Sequence, residues 1–344
     1  MNYLTLAIPA YQAEFTMGTC LDSLITAGIE GLEVLVVNDG SNPQISQTVE
    51  GYVAKYPDHI RLLNKEYGGL GSALNLALRE ATCPWFRILD GDDRLDPQGL
   101  AKLMEVLRDL EEENPKPELV VADYYYEIPR KGGTKYLERA SFANVFPEVG
   151  INSWSRLKNF AIDQILGKQS LVYRLDLLRK IKLRLPDQLA YVDEIFSYEP
   201  LPHVRRIYYL DEPVYIFPVG RPNQASNMKV MERHLKDLLS VALEMFRRVR
   251  LDSVRPQRLQ QYMYRHMARV IAVCLMLSCD EEQGNVASLK TMDLIWSEFA
   301  KINAPAARAL QKKPMLNSKR ILKAAKSYVE QDVYNLIGKV FIID

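Results

Sequence analysis

The chain has 344 residues, 48% hydrophobic and 25% charged, with a formal net charge of +1. That length suits one large domain with an appendage or two domains, and the composition is ordinary for a globular protein. A charge this near zero excludes nucleic acid as the dominant partner, though not a local basic patch.

Taken in chain order, residues 1–8 lack the basic start and long apolar core of a signal peptide. Residues 4–8 are a short apolar run ended by Pro9. Residues 15–27 have helical spacing, with Met17, Leu21, Leu24 and Ile25 on one face. Residues 32–37 form a continuous β-branched run, the mark of a strand covered on both faces. A helix with Pro43 at its start follows over 43–56, then a strand at 60–63 and a helix over 72–80 behind the cluster Gly68-Gly69-Leu70-Gly71. Residues 85–89 read as a strand and 97–110 as a helix. This alternation predicts a parallel sheet with helices on both faces.

The pattern changes after Glu111. Residues 111–117 read as a surface linker. A strand at 119–128, the turn Pro129-Arg130-Lys131-Gly132-Gly133 and a return through Tyr136 predict a hairpin. A helix is expected over 155–166, a strand at 170–173, and two strands at 206–210 and 214–217 split by Asp211-Glu212-Pro213. From Met228 onward the pattern is mainly helical, notably 234–250 and 262–277, so the chain divides near residue 226 into 1–226 and 227–344. The apolar run 270–277 is far too short to span a bilayer. Cys20, Cys83, Cys274 and Cys279 form no C-x-x-C pair and read as thiols in a reducing compartment. A cytoplasmic protein is expected. The basic stretch 304–329, with Arg308, Lys312, Lys313, Lys319, Arg320, Lys323 and Lys326 and no acid, offers peripheral contact with anionic membrane, an anionic acceptor site, or simply a solvated face. His59, His203, His234 and His266 are scattered and suggest no histidine-based metal site.

Chemistry concentrates at strand ends. The apolar run 85–89 stops in Asp90-Gly91-Asp92-Asp93, three carboxylates within four residues. Like charges this close repel unless a cation joins them, and Mg²⁺ or Mn²⁺ takes one or two carboxylates plus substrate phosphates; an acidic turn is the plainer reading. Ligands of open α/β sheets bind outside the carboxyl ends of the strands. The first strand ends in Pro9-Ala10-Tyr11 and the second in Asn38-Asp39-Gly40-Ser41, so an aromatic ring, an isolated carboxylate and an acidic group are expected along one edge. That set suits a nucleoside diphosphate, with Tyr11 stacking on a base and Asp39 accepting from a base N–H or a ribose hydroxyl.

With these motifs the chain resembles the family-2 glycosyltransferases of the GT-A fold. Ile8-Pro9-Ala10-Tyr11, Val37-Asn38-Asp39-Gly40-Ser41, Leu89-Asp90-Gly91-Asp92-Asp93 and the segment Gly68-Gly69-Leu70-Gly71-Ser72-Ala73-Leu74-Asn75 carry the likeness, with Tyr191-Val192-Asp193 and Gly220-Arg221-Pro222-Asn223-Gln224-Ala225-Ser226 further on. The likeness spans roughly residues 1–226 and implies a Rossmann-like, mainly parallel sheet followed by an α-helical region. It implies an inverting, metal-dependent transferase that moves a sugar from a nucleotide-sugar donor, usually a UDP-sugar, to a hydroxyl of a glycan, lipid-linked or polymer acceptor.

The implied roles are specific. Pro9, Tyr11, Asp39, Gly69, Asn75, Asp90, Arg221 and Gln224 would bind the donor nucleotide, with Arg221 and Gln224 closing over the diphosphate. Asp90 and Asp92 would hold Mn²⁺ or Mg²⁺, Asp93 supporting them. Asp193 would be the catalytic base, with Glu194 as runner-up because the family's Glu before that Asp is missing here. Gln12 stands where the family often has Asn, and Leu74 where it often has Arg. Two rivals remain: a sugar nucleotidyltransferase, which would carry a Gly-rich, Arg-containing first loop where this chain has Pro9-Ala10-Tyr11-Gln12-Ala13-Glu14, and a non-catalytic nucleotide- or glycan-binding protein.

Overall fold

The computed structural model describes residues 2–40, 43–130, 132–161, 163–221, 224–279 and 284–326. Ser41, Lys131, Pro222, Asn223 and the end of the basic stretch beyond Lys326, each part of a motif above, lie outside them. The chain separates into two compact units, Met1–Lys158 with Leu166–Val219, and Asn159–Ile165 with Gly220–Asp344.

In the first unit, β1 (Leu4–Ala10), α1 (Met17–Ala27), β2 (Leu32–Asp39), α2 (Pro43–Lys55), β3 (Ile60–Lys65), α3 (Gly69–Glu80) and β4 (Trp85–Ile88) alternate as expected. β1, β2, β3 and β4 are mutually parallel, joined by helical crossovers. Every residue of β2 is buried, as is nearly all of β1, which is why both are mainly aliphatic without a polar face; the buried Glu33 accepts from the Thr5 hydroxyl at 2.5 Å. Then come β5 (Arg94–Leu95), α4 (Pro97–Leu110), β6 (Leu119–Pro129), β7 (Lys135–Ala140), β8 (Gly150–Asn152), β9 (Leu171–Arg174), α5 (Leu175–Lys180), α6 (Asp193–Tyr198) and β10 (Ile207–Pro218). The sheet runs β3-β2-β1-β4-β9-β6-β10-β5, with β7 on β6 and β8 on β10. β9 enters antiparallel between β4 and β6. β6 and β7 form the expected hairpin. Asp96 caps α4 by accepting from the Gly99 amide at 2.9 Å, with Pro97 in the first turn.

Two expectations are corrected. Among the described residues of 155–166 there is no α-helix; a 3₁₀ turn at Trp154–Arg156 is followed by irregular chain. Residues 159–165 belong to the second unit, where the Arg265 guanidinium donates to the Phe160 carbonyl at 2.5 Å and Arg269 to the Asp163 carbonyl at 3.0 Å. Those carbonyls take side-chain partners in place of helical amides, and Phe160 lays its ring 4.5 Å from that of Tyr262. The two strands expected at 206–210 and 214–217 are one, Ile207–Pro218. Asp211-Glu212-Pro213 is absorbed as an irregularity in pairing with β6, with register shifts on both sides of Pro213; a bulge is the place where an internal strand tolerates proline.

The second unit is helical: α7 (Met228–Arg233), α8 (Leu235–Arg248), α9 (Gln257–Leu277), α10 (Gly284–Gln311) and α11 (Ser318–Lys326). α10 breaks at Asn303, two residues before Pro305. α8 packs on α9 and α10, with Phe246 and Phe299 edge to face at 5.3 Å. In the basic stretch Leu310, Met315, Leu316 and Ile321 are buried while Arg308, Lys312, Lys319 and Lys323 are exposed. Among the described residues no helix is long and apolar enough to cross a membrane.

Helix α3 begins at Gly69, earlier than the expected Ser72, because its first turn presses on the chain at 185–188. A Cβ on Gly71 would lie 1.9 Å from the Pro186 carbonyl oxygen, and one on Gly69, at φ +81°, 3.0 Å from the Gln188 Cα. Gly51, exposed inside α2, would meet nothing within 4 Å. Gly71→Ala is therefore expected to lower stability by at least about 2 kcal/mol through overpacking, while Gly51→Ala raises it by up to about 1 kcal/mol through helix propensity; thermal denaturation of the two variants measures both signs.

Candidate active site

The carboxyl edge of the parallel strands carries the site. β4 ends at Ile88, and Leu89 still bonds its amide to the Ala7 carbonyl at 3.0 Å, so Asp90 leaves the sheet beside the end of β1. A tight turn follows, closed by the Asp93 amide on the Asp90 carbonyl at 3.0 Å. Gly91 is seated on α1: a Cβ there would come 2.8 Å from the Met17 methyl, and its carbonyl accepts from the Thr16 hydroxyl at 2.9 Å. The glycine between the two aspartates lets the turn lie flat on the helix start and presents both carboxylates on one side.

Asp90, Asp92 and Asp93 can each turn one carboxylate oxygen into a group within 4.8 Å of one another, Asp90 half-buried, Asp92 exposed and Asp93 buried. They divide by their surroundings. The Tyr215 hydroxyl, from β10, donates to Asp93 Oδ2 at 2.6 Å and accepts from the Asp90 amide at 3.3 Å. Asp93 is thus tied into the protein by its phenol partner, while Asp90 and Asp92 stand nearer the surface. Burial, with the charges of Asp92 and Asp193, pushes the Asp90 carboxyl above the usual carboxylate range against the pull of Lys168. Burial, then Asp93 and Asp90, push the Tyr215 phenol well above its ordinary value, so it remains a donor. A crowded oxygen-only donor set fits a hard divalent ion.

Sequence reasoning missed Lys168. It opens the 3₁₀ turn Lys168–Ser170 just before β9, and its ammonium lies 2.6 Å from Asp90 Oδ2 and 3.1 Å from Asp193 Oδ2. Burial by itself would push the ammonium down; Asp193 and Asp90 outweigh it and hold the group well above the ordinary lysine value. The strand direction brings it there. β9 pairs antiparallel with β4 in the register Trp85↔Arg174 and Phe86↔Tyr173, so the residues preceding β9 fall alongside those following β4. Arg87, buried under the site on β4, donates to the Gln169 carbonyl and lies over the Tyr215 ring at 5.4 Å. Burial pushes its guanidinium down to about 10, which leaves it charged at neutral pH.

Asp193 opens α6, at the end of a loop held by α3. Asn75 brackets Leu185, donating to its carbonyl at 2.8 Å and accepting from its amide at 2.9 Å. The Gln188 amide donates to the Gly68 carbonyl at 2.8 Å. Gln188 and Tyr191 have φ of +56° and +64°, a conformation that costs non-glycine residues and persists where the surroundings impose it. Asn75 and Gly69, expected at the nucleotide, thus contact the loop that leads to Asp193. Glu194, the runner-up, follows in the same first turn and is half-buried.

At the β2 end Asp39 is buried. Its Oδ1 accepts from Lys65 Nζ at 2.5 Å and from the Gly68 amide at 2.9 Å, which pins the chain between β3 and α3. Gly40, at φ +68°, admits that chain: a Cβ would meet the Tyr67 nitrogen at 2.7 Å. Tyr67 in turn pairs with Tyr11, ring centroids 5.1 Å apart, and the two are 57% and 49% exposed, an aromatic platform open to solvent. Tyr67 also escaped the sequence reading. Pro9 pairs with Val37 at the end of β1. Arg221 and Gln224 belong to the second unit, where the Gln224 amide donates to the Arg221 carbonyl at 3.1 Å.

Residues 5–170 match the family model described as Glycosyl transferase family 2. The chain is 23% identical over 276 residues to the uncharacterized glycosyltransferase EpsJ of Bacillus subtilis (strain 168), covering 76% of this chain and 75% of that protein. Its fold resembles residues 1–349 of TarS from S. aureus in complex with UDP-GlcNAc, with a TM-score of 0.64, 17% identity and coverage of 95% and 92% of the two chains. It also resembles the mannosyltransferase PcManGT of Pyrobaculum calidifontis in complex with GDP-Man and Mn²⁺, with a TM-score of 0.56, 17% identity and coverage of 94% and 86%. The acidic turn after β4, the sheet that carries it and these likenesses agree: residues 5–170 are a family-2 glycosyltransferase domain, in a chain whose fold is of the GT-A type.

Proposed function

We propose that this glycosyltransferase inverts the sugar, works with a divalent cation, and draws on a nucleotide-sugar donor, a UDP-sugar before others, to glycosylate a hydroxyl of a glycan, lipid-linked or polymer acceptor. The observation that carries this reading is that Asp90 and Asp193 share one ammonium, so a carboxylate suited to a base stands beside the carboxylates suited to the diphosphate. Inversion needs both: a leaving group on one side of the anomeric carbon and a proton acceptor on the other.

Mn²⁺ or Mg²⁺, held by Asp90 and Asp92, would neutralise charge on the departing diphosphate. Asp193 takes the proton of the acceptor hydroxyl as that oxygen bonds to the anomeric carbon and the bond from that carbon to the diphosphate breaks, its electron pair leaving with the phosphate. Tyr215 keeps Asp93 engaged, so the working pair stays Asp90 and Asp92. Tyr11, with Tyr67 beside it, offers a face for the base, and Asp39 fixes the turn beneath them. Arg221 and Gln224 stay candidates for the diphosphate on the chemistry of guanidinium and phosphate. The exposed cations of the 304–326 stretch suit an anionic acceptor or membrane surface, and the cytoplasm suits a chain whose Cys20, Cys83 and Cys274 are buried thiols.

Calorimetry of UDP with Mn²⁺ is expected to show binding that weakens at least about tenfold when EDTA removes the ion; equal affinity with and without the metal would remove Asp90 and Asp92 from the role. Asp193→Asn is expected to keep UDP affinity and to lower the rate of sugar transfer by about 10²- to 10⁴-fold, the usual contribution of a general base. If Glu194→Gln has that effect and Asp193→Asn does not, the base is Glu194.

A further inference from the structure

Lys168 has one-tenth of its side chain exposed. Removing an ammonium from water costs several kcal/mol unless its partners are well placed, and here the partners are two carboxylates with different work. Asp90 belongs to the turn after β4 and faces the donor; Asp193 opens α6 and faces the acceptor in the reading proposed above. The turn that delivers the ammonium is itself fixed. The Ser170 amide and hydroxyl both donate to the Gly167 carbonyl at 2.9 Å, and Arg87 donates to the Gln169 carbonyl from below. β9 then runs directly into the sheet, so Lys168 has little freedom to retreat.

A hard divalent ion takes oxygen ligands, and any carboxylate within reach competes for the one or two places that protein carboxylates fill. Asp90, Asp92 and Asp93 already stand within reach of one another, and Asp193 is one ammonium away from Asp90. Nothing in carboxylate chemistry would stop the ion from taking Asp193 as well, and a base bound to a metal is a poor proton acceptor. The ammonium occupies the interval between Asp90 and Asp193 and repels a second cation from it.

We propose that Lys168 is a positioning residue that divides the carboxylates between two tasks: it holds Asp193 toward the acceptor and outside the cation's coordination shell, and leaves the cation to Asp90 and Asp92. The inference rests on the assignment of those two sites above.

Mn²⁺ titration of the nucleotide-free protein, followed by the paramagnetic resonance of the free ion, tests it together with steady-state kinetics. Lys168→Met is expected to bind Mn²⁺ about tenfold more tightly than the wild type, because a competing charge is gone and Asp193 is released to the metal. The gain is expected to vanish in the double variant Lys168→Met/Asp193→Asn. In the kinetics kcat falls about 100-fold through loss of base alignment, with the donor KM changed less than about threefold. Lys168→Gln, which keeps a hydrogen-bond donor without the charge, gives the same reading if the methionine variant does not fold. Unchanged Mn²⁺ affinity, a gain that survives Asp193→Asn, or a loss confined to KM would each overturn the inference while leaving the donor site standing. A wild-type protein that binds neither Mn²⁺ nor UDP would overturn the donor site and the inference with it.

Discussion

Four carboxylates, Asp90, Asp92, Asp93 and Asp193, converge at the carboxyl edge of the sheet, and their mutual repulsion is the constraint the rest of the molecule answers. Each answer is local and different. Asp93 is tied to a phenol whose own ionisation is suppressed by burial first and then by the acids. Asp90 and Asp193 share an ammonium. Asp92 is left exposed at the edge. A guanidinium lies below, with a carbonyl and an aromatic face as its contacts. The raised Asp90 carboxyl, which burial and then the charges of Asp92 and Asp193 lift against the pull of Lys168, records that crowding.

Holding these groups apart by a few ångströms requires rigid supports on both sides of the cluster. On one side the acidic turn is flattened onto α1 through Gly91 and Thr16. On the other, the loop entering α6 is clamped by Asn75 and by the glycines of α3, which press so closely on Pro186 and Gln188 that no side chain fits. Two non-glycine residues with positive φ survive in that loop because the clamp dictates its path. The same helix start that follows the Asp39 turn also holds the loop from which Asp193 arrives.

How much of this was legible in the sequence follows from which interactions are local. The alternation of strands and helices through Leu110, the hairpin at β6 and β7, and the acidic turn are written in short-range patterns, and all are found in place. The failures come where distant partners decide. The stretch 155–166 has helical spacing, yet Arg265 and Arg269, a hundred residues on, take its carbonyls. Asp211-Glu212-Pro213 has the composition of a turn, yet pairing with β6 carries the strand through it. Lys168 escaped for the same reason. Its sequence signal is a lone cation before a short apolar strand, and its meaning exists only once β9 is known to run antiparallel to β4. Tyr67 becomes visible only through Gly40, which lets its backbone approach.

The antiparallel entry of β9 is the step that brings a cation to the acidic edge of the sheet. β1 to β4 are parallel, and their carboxyl ends offer an aromatic platform and an acidic turn. A further parallel strand beside β4 would bring another carboxyl end to that edge. A strand of opposite direction brings its beginning instead, and with it the turn that carries Lys168. From that turn the ammonium reaches Asp193 across the site. Burying a lysine carries a desolvation cost, and here two carboxylates offset it: without the ammonium, Asp90 and Asp193 would face each other as like charges.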